Sequence, residues 1–229
     1  MPRSGAPDDE RVPEPGRSEG RGGPLMLICF DLGGVLVRIC RDWNEGCAAA
    51  GFEPRTHEPR PGHDERSKDL IARYQRNEID CPVFQRELSD LFDGTWTPEE
   101  VERIDRAWIL GAYPGAADLV ADLRAAGHRT ACLSNTSRSH WDLLLAEPAV
   151  ACIDAKHASH ILGLAKPDRR IYAEFERRVE TRPEEILFFD DLHRNVAAAA
   201  NRGWDAVRID HAGDTAAQMR RSLNERGLL

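Results

Sequence analysis

Short apolar runs recur along the chain, separated by longer stretches in which apolar residues return every third or fourth position. The runs are Met26–Phe30, Thr130–Leu133, Ile186–Phe189 and Ala206–Ile209, with a weaker one at Ala151–Ile153. Rich in Ile, Leu, Val and Phe and too short for helices, they predict strands buried on both faces. The periodic stretches predict helices, and several carry their own boundaries. Pro114-Gly115 leads into Ala116–Ala126 and Gly127 follows it, while Val196–Arg202 is closed by Gly203. Strands alternating with helices in this way predict an α/β fold, a doubly wound parallel sheet with helices on both faces.

The stretch between the first two strands is far longer than one crossover helix requires, and little of it reads as strand. It predicts an inserted helical cap over residues 41–110, with the core formed by residues 26–40 and 111–229. Thr97-Pro98-Glu99-Glu100 combines an N-cap threonine, proline at the first helical position and a glutamate three residues after the cap, which predicts a helix running on to Leu110. Further helices are expected around Asp42–Ala50, Arg66–Asn77 and Val83–Phe92, and the Pro-, Arg- and His-rich stretch from Glu53 to Glu65 is expected to be a loop. Residues 1–25, dominated by Pro, Gly, Arg, Ser and acids, read as a disordered tail that folding and activity do not need.

A chain of 229 residues suffices for one core domain with such an insertion. No apolar stretch approaches the roughly 20 residues that span a bilayer, so no membrane partner is expected. The formal net charge of -8 offers no basic footprint for nucleic acid, while one local positive site for a small anion stays compatible with it. Six cysteines are scattered without a Cys-x-x-Cys pair, and Cys29 and Cys132 fall inside predicted strands. They are expected to be reduced thiols in a cytoplasmic protein. No glycine-rich phosphate loop stands in the right strand-helix context for a nucleotide, flavin or nicotinamide cofactor.

Ligands of open parallel sheets bind outside the carboxyl ends of the strands, so polar residues just after strands carry the candidate chemistry. Asp31 follows the first strand, Ser134-Asn135 the second, and Asp190-Asp191 closes Ile186–Phe189, while Lys166-Pro167 opens the preceding helix. Taken singly, these are ordinary turn and capping residues. Taken together, an aspartate, a hydroxyl, a lysine and an acidic pair form a site able to hold a divalent cation and a phosphoryl group at once.

In their order and spacing, Phe30-Asp31-Leu32-Gly33-Gly34-Val35, Leu133-Ser134-Asn135-Thr136, Gly163-Leu164-Ala165-Lys166-Pro167 and Phe188-Phe189-Asp190-Asp191 resemble the four motifs of the haloacid dehalogenase-like hydrolase superfamily. They look most like the branch of α-glucose-1-phosphate phosphatase and of the N-terminal phosphatase domain of soluble epoxide hydrolase. The resemblance implies a phosphatase in which Asp31 is the nucleophile and passes through an aspartyl-phosphate. It implies Mg²⁺ held by Asp31, the Gly33 carbonyl and Asp191, with Asp190 and Asn195 orienting these ligands. Ser134, Asn135 and Lys166 would bind the phosphate of a small phosphorylated metabolite.

Most phosphatases of this superfamily carry a second aspartate two positions after the nucleophile, where it protonates the leaving oxygen. This chain has Gly33 there. The loss of a general acid is worth roughly 10² to 10⁴ in rate, so substrates whose leaving group departs readily, such as a sugar 1-phosphate, are expected. A slow or non-catalytic protein and a dehalogenase are the alternatives. A signalling receiver module is excluded by order, since its acidic pair precedes the phosphorylated aspartate. Arg55, Arg60 and His63 are candidates to reach the substrate from the cap loop. Trp43 and Trp108 are expected in the cap core or its pocket, and His157 and His160 are spaced to share a helix face.

Overall fold

The computed structural model describes residues 25–53, 55–57 and 59–229, so the expected N-terminal tail lies outside the described residues apart from Leu25. The sheet is built from β1 (Leu27–Phe30), β4 (Arg129–Ser134), β5 (Ala155–Ala158), β6 (Ile186–Asp190) and β7 (Asp205–Arg208). Its order is β5-β4-β1-β6-β7 and every pairing is parallel. In a central parallel strand both faces are covered, and β1 shows this in four consecutive buried residues. Ile28 and Phe30 join one core, and Leu27 and Cys29 join the other. The first core is covered by α5 (Ala116–Ala125), α6 (Arg138–Ala146), α7 (Pro148–Ala151) and α11 (Thr215–Glu225). The second is covered by α9 (Arg169–Val179) and α10 (His193–Ala200). Phe30 stacks on Phe189 across β1 and β6 with ring centroids 5.8 Å apart. Truncating either ring to alanine costs about 3 to 5 kcal/mol.

Between β1 and β4 the chain forms β2 (Val37–Ile39), α1 (Trp43–Ala49), α2 (His63–Gln75), α3 (Cys81–Leu91), α4 (Pro98–Arg106) and β3 (Ile109–Ala112). The four helices gather around their own apolar cluster, which includes Leu70, Phe84, Leu88, Trp96 and Ile104. Thr97 and Glu100 form the expected reciprocal cap at the start of α4. The described cysteines are all free thiols. No described helix is long and apolar enough to cross a membrane.

Several expectations are corrected here. The cap is bracketed by two strands that the apolar pattern does not show, β2 and β3, which pair antiparallel where the chain leaves and re-enters the core. Each is too short to show a period. The α4 helix stops at Arg106, before Leu110, because Ile109–Ala112 is drawn into that ladder. Ala151–Ile153 is not a strand. Pro148 starts the short α7, whose Val150 packs into the core, and the strand falls at Ala155–Ala158. As an edge strand, β5 tolerates Lys156 and His157, which removes the apolar signal. His157 therefore lies on β5, while His160 lies on α8 (Ser159–Leu162), and they share no helix face. Lys166-Pro167 sits in the loop before α9, which begins at Arg169.

Candidate active site

Three adjacent strands end side by side, and each delivers polar side chains to the same edge. Parallel register sets Phe30 of β1 opposite Cys132 of β4 and Phe189 of β6, so the residues that follow converge. Asp31 continues the ladder, its N–H donating to the Phe189 carbonyl at 2.8 Å. Ser134 ends β4, and Asp190 ends β6 with Asp191 beyond it. Asp31, Ser134, Lys166, Asp190, Asp191 and Asn195 are all buried.

Lys166 arrives from the loop between α8 and α9 and is held by Asn135. The Asn135 amide donates to the Lys166 carbonyl at 2.8 Å and accepts from the Lys166 N–H at 2.8 Å. Both ends of that side chain thus engage the lysine loop. The Lys166 side chain is fully enclosed, with Nζ 2.7 Å from Asp190 Oδ2 and 3.1 Å from Asp31 Oδ2. Burial alone would discharge it. The Asp190 and Asp31 charges outweigh burial and hold its pKa above the ordinary lysine value, so it stays an ammonium.

Asp190 is held by three donors. Its oxygens accept from Lys166 Nζ, from the Leu192 N–H at 2.8 Å and from Asn195 Nδ2 at 3.0 Å. Asp31 is less well compensated. Burial pushes its pKa up to about 7, Lys166 opposes this, and Asp190 and Asp191 add to it, with the Ser134 hydroxyl pulling weakly down. Asp31 and Asp190 share the one ammonium of Lys166, while Asp191 pairs with the Arg41 guanidinium. Oxygens of Asp31, Asp190 and Asp191 lie within 4.8 Å of one another, the one such acidic cluster among the described residues.

The surroundings suit a cation. Gly34 has a left-handed backbone, φ +80°, and a β-carbon there would lie on top of the Asp191 carboxylate. Asn195 Oδ1 is buried without a partner beside the cluster. Clustered carboxylate oxygens are the donors Mg²⁺ takes, and only a glycine at position 34 leaves the Asp191 carboxylate its place among them. Arg41, which sequence reasoning missed, donates to Asp191 Oδ2 at 2.9 Å. The two residues are 150 positions apart, and no local signal links them.

The missing aspartate has a structural counterpart. A β-carbon on Gly33 would meet Ile39 Cδ1 at 2.9 Å, so the Ile39 side chain fills the space beside position 33. Outward from here a cavity of about 450 Å³ runs between core and cap, lined at one end by Gly33, Arg41, Ser134 and Asn135. Trp43, Trp108 and His63 line it too. Arg55 and Arg60 do not, being paired with Glu100 and Asp93 respectively.

A half-buried chain of hydrogen bonds ties cap to core along one side of the cavity. Tyr74 of α2 donates to Ser139 at 2.8 Å, and Ser139 of α6 donates to Asp105 of α4 at 2.6 Å. His140 Nε2 lies 3.1 Å from Asp105 Oδ1 and 2.7 Å from the Asp105 carbonyl. Burial pulls the His140 pKa down, but the bond to Asp105 and its charge overcome this and leave it raised. His157 and His160 take up other work. His157 packs edge-on against Phe175, and His160 Nδ1 lies 3.2 Å from the Thr136 carbonyl.

A doubly wound sheet presenting an aspartate, a hydroxyl, a buried lysine and an acidic pair at adjoining strand ends defines a hydrolase of the α/β class. The sequence profile of the haloacid dehalogenase-like hydrolases matches residues 25–203, and the chain belongs to that family. It is 28% identical over 138 residues to a phosphatase of Mycobacterium tuberculosis, covering 59% of this chain and 64% of that one. It is 26% identical over 207 residues to the mouse acyl-CoA dehydrogenase family member 10, covering 82% of this chain but 18% of that protein. An (S)-2-haloacid dehalogenase of Burkholderia cepacia is 31% identical over 106 residues, 46% of each chain. The chain thus spans less than two thirds of the length of these relatives. In fold it resembles a Bacteroides thetaiotaomicron haloacid dehalogenase family enzyme crystallised with magnesium and inorganic phosphate. The TM-score is 0.69 at 19% identity, over 86% of this chain and all of that one.

Proposed function

We propose that the chain is a Mg²⁺-dependent phosphatase working through an aspartyl-phosphate on Asp31. The observation that carries this reading is the acidic cluster of Asp31, Asp190 and Asp191, two of whose members pair with the enclosed Lys166 ammonium. Asp31, the Gly33 carbonyl and Asp191 would hold Mg²⁺, which neutralises phosphate charge that would otherwise repel the Asp31 carboxylate. Asp31 attacks phosphorus, the bond to the leaving oxygen breaks, and water later hydrolyses the aspartyl-phosphate to release inorganic phosphate. Lys166 places a fixed positive charge beside the transferring oxygens. The Ser134 hydroxyl and the Asn135 backbone N–H donate to them. Asp190 holds Lys166 in place, and Asn195 holds Asp190.

A metal-independent dehalogenase is the rival within the family; it has no cation to hold, and the close grouping of Asp31, Asp190 and Asp191 favours the phosphatase reading. Gly33 cannot protonate the leaving group, so substrates with weakly basic leaving oxygens are favoured, such as an anomeric oxygen or a phenol. The test is hydrolysis of p-nitrophenyl phosphate with Mg²⁺ or with EDTA, by wild type and by Asp31→Asn. Turnover only in wild type with Mg²⁺ is the expected result. Equal turnover in EDTA, or activity retained by Asp31→Asn, overturns the reading.

A further inference from the structure

Phosphate-binding groups say nothing about the rest of a substrate, which is read by the cavity beyond them. Its wall away from the carboxylates is built largely from Ile39, Trp43, Ile71, Phe84, Trp108 and Leu144. These side chains come from both cap and core, so the chamber exists only where the two meet. Its volume of about 450 Å³ lies within the range of small-ligand pockets, roughly 300 to 1,000 Å³.

A sugar would bring several hydroxyls into this space, and each one buried without a partner is costly. Of the buried side-chain atoms in the lining, Trp43 Nε1, His63 Nε2 and Thr136 Oγ1 lack partners, while the carboxylate there is already engaged. Asp105 Oδ1 is engaged by His140 and Oδ2 by Ser139, while the Ser137 hydroxyl lies 3.0 Å from that of Ser139. An aromatic ring makes no such demand and gains contact with Trp and Phe side chains. The absent acid at Gly33 points the same way, because a phenolic oxygen leaves with less proton assistance than an alkoxide.

We infer that the substrate is a phosphate monoester of an apolar aromatic alcohol, its ring and any alkyl substituent lying against this wall. The inference rests on the phosphatase reading above and sets an aryl ester beside the sugar 1-phosphate expected from sequence as the class to be tested. The bond broken joins phosphorus to the phenolic oxygen. That oxygen keeps the electron pair and takes a proton from water, while a second water oxygen ends in inorganic phosphate.

The experiment compares kcat/KM with Mg²⁺ for phenyl, 4-ethylphenyl and 4-butylphenyl phosphates, whose leaving groups are nearly equally basic, and for a sugar 1-phosphate. Each added methylene is expected to raise kcat/KM about fourfold where the tail is buried, and the sugar ester to be the poorest. Ile71→Glu sets a charge into the wall at a site 41% exposed, where folding tolerates it, and is expected to flatten the alkyl series. A flat series in wild type, or a sugar ester hydrolysed as well as the aryl esters, overturns the inference while the phosphatase reading stands. A second arm measures binding of methylphosphonate, benzylphosphonate and 4-butylbenzylphosphonate to the Asp31→Asn protein. If no monoester turns over but affinity still climbs along this series, the apolar site is upheld and the phosphatase reading falls.

Discussion

Gly33→Asp combined with Ile39→Val should install the proton donor that the site lacks. Gly33 is not among the residues with positive φ, so an L-residue fits its backbone. The obstacle is one atom: a new β-carbon would lie 2.9 Å from Ile39 Cδ1, with Cγ2 and Cγ1 of the same residue at 3.5 and 3.6 Å. Valine lacks only that Cδ1 and leaves ordinary van der Waals contacts. The exchange costs about 0.5 to 1.5 kcal/mol, which a urea unfolding curve monitors. General acid catalysis is worth about 10² to 10⁴ where the leaving oxygen is strongly basic and close to nothing where it is not. The double variant should therefore gain most on alkyl phosphates and little on p-nitrophenyl phosphate. Plotted against leaving-group pKa, log kcat/KM should fall steeply for wild type and gently for the double variant, with Gly33→Asp alone in between. Parallel lines for the two proteins would refute the argument that Gly33 and Ile39 together deprive the site of its acid.

Lys166→Met should destabilise the metal-free protein by about 3 to 5 kcal/mol, because it strips the counter-charge from buried Asp31 and Asp190. Urea unfolding in EDTA measures this, and Mg²⁺ should recover part of the loss; an unchanged midpoint would count against a charged lysine there. The raised His140 pKa predicts a pH-dependent tie between cap and core. For a histidine raised above its unfolded value, the stabilisation is fully present below the unfolded pKa and is lost as pH rises through the folded one. The stability gap between wild type and His140→Gln should thus be wider at pH 6 than at pH 9, and a gap independent of pH would exclude the His140–Asp105 charge pair as its source. Tyr74→Phe, which cuts the first link of the same chain of hydrogen bonds, should cost about 0.5 to 1.5 kcal/mol, read as a shift in the unfolding midpoint.

The sheet and the carboxylate cluster are legible along the chain for one reason. A buried parallel strand is an unbroken apolar run, and the polar residue that ends it has to be at the edge where ligands bind. Asp31 and Asp190-Asp191 announce themselves in this way, and Ser134 does so at the end of β4. Asn195 follows because five residues beyond Asp190 the chain has entered α10 and turned back over the acidic pair. The amphipathic helices of the insertion, and the cap of α4, are local patterns of the same kind.

Other features depend on residues that meet only when the chain is folded. The β2–β3 ladder joins the two ends of the whole insertion, and neither strand is long enough to carry a pattern of its own. The Arg41–Asp191 pair, the Asn135 clamp on Lys166 and the Tyr74–Ser139–Asp105–His140 chain each connect segments that the sequence places far apart. Gly33 is visible as an absence in sequence, but that Ile39 occupies the vacated space is a fact of packing. The same holds for the cavity. By itself the sequence determined the fold class and the acidic and hydroxyl groups at the strand ends, because a strand end is defined by its immediate neighbours. Only tertiary structure decided which side chains wall the chamber beyond them, because that wall is made from residues of two units, each with its own core.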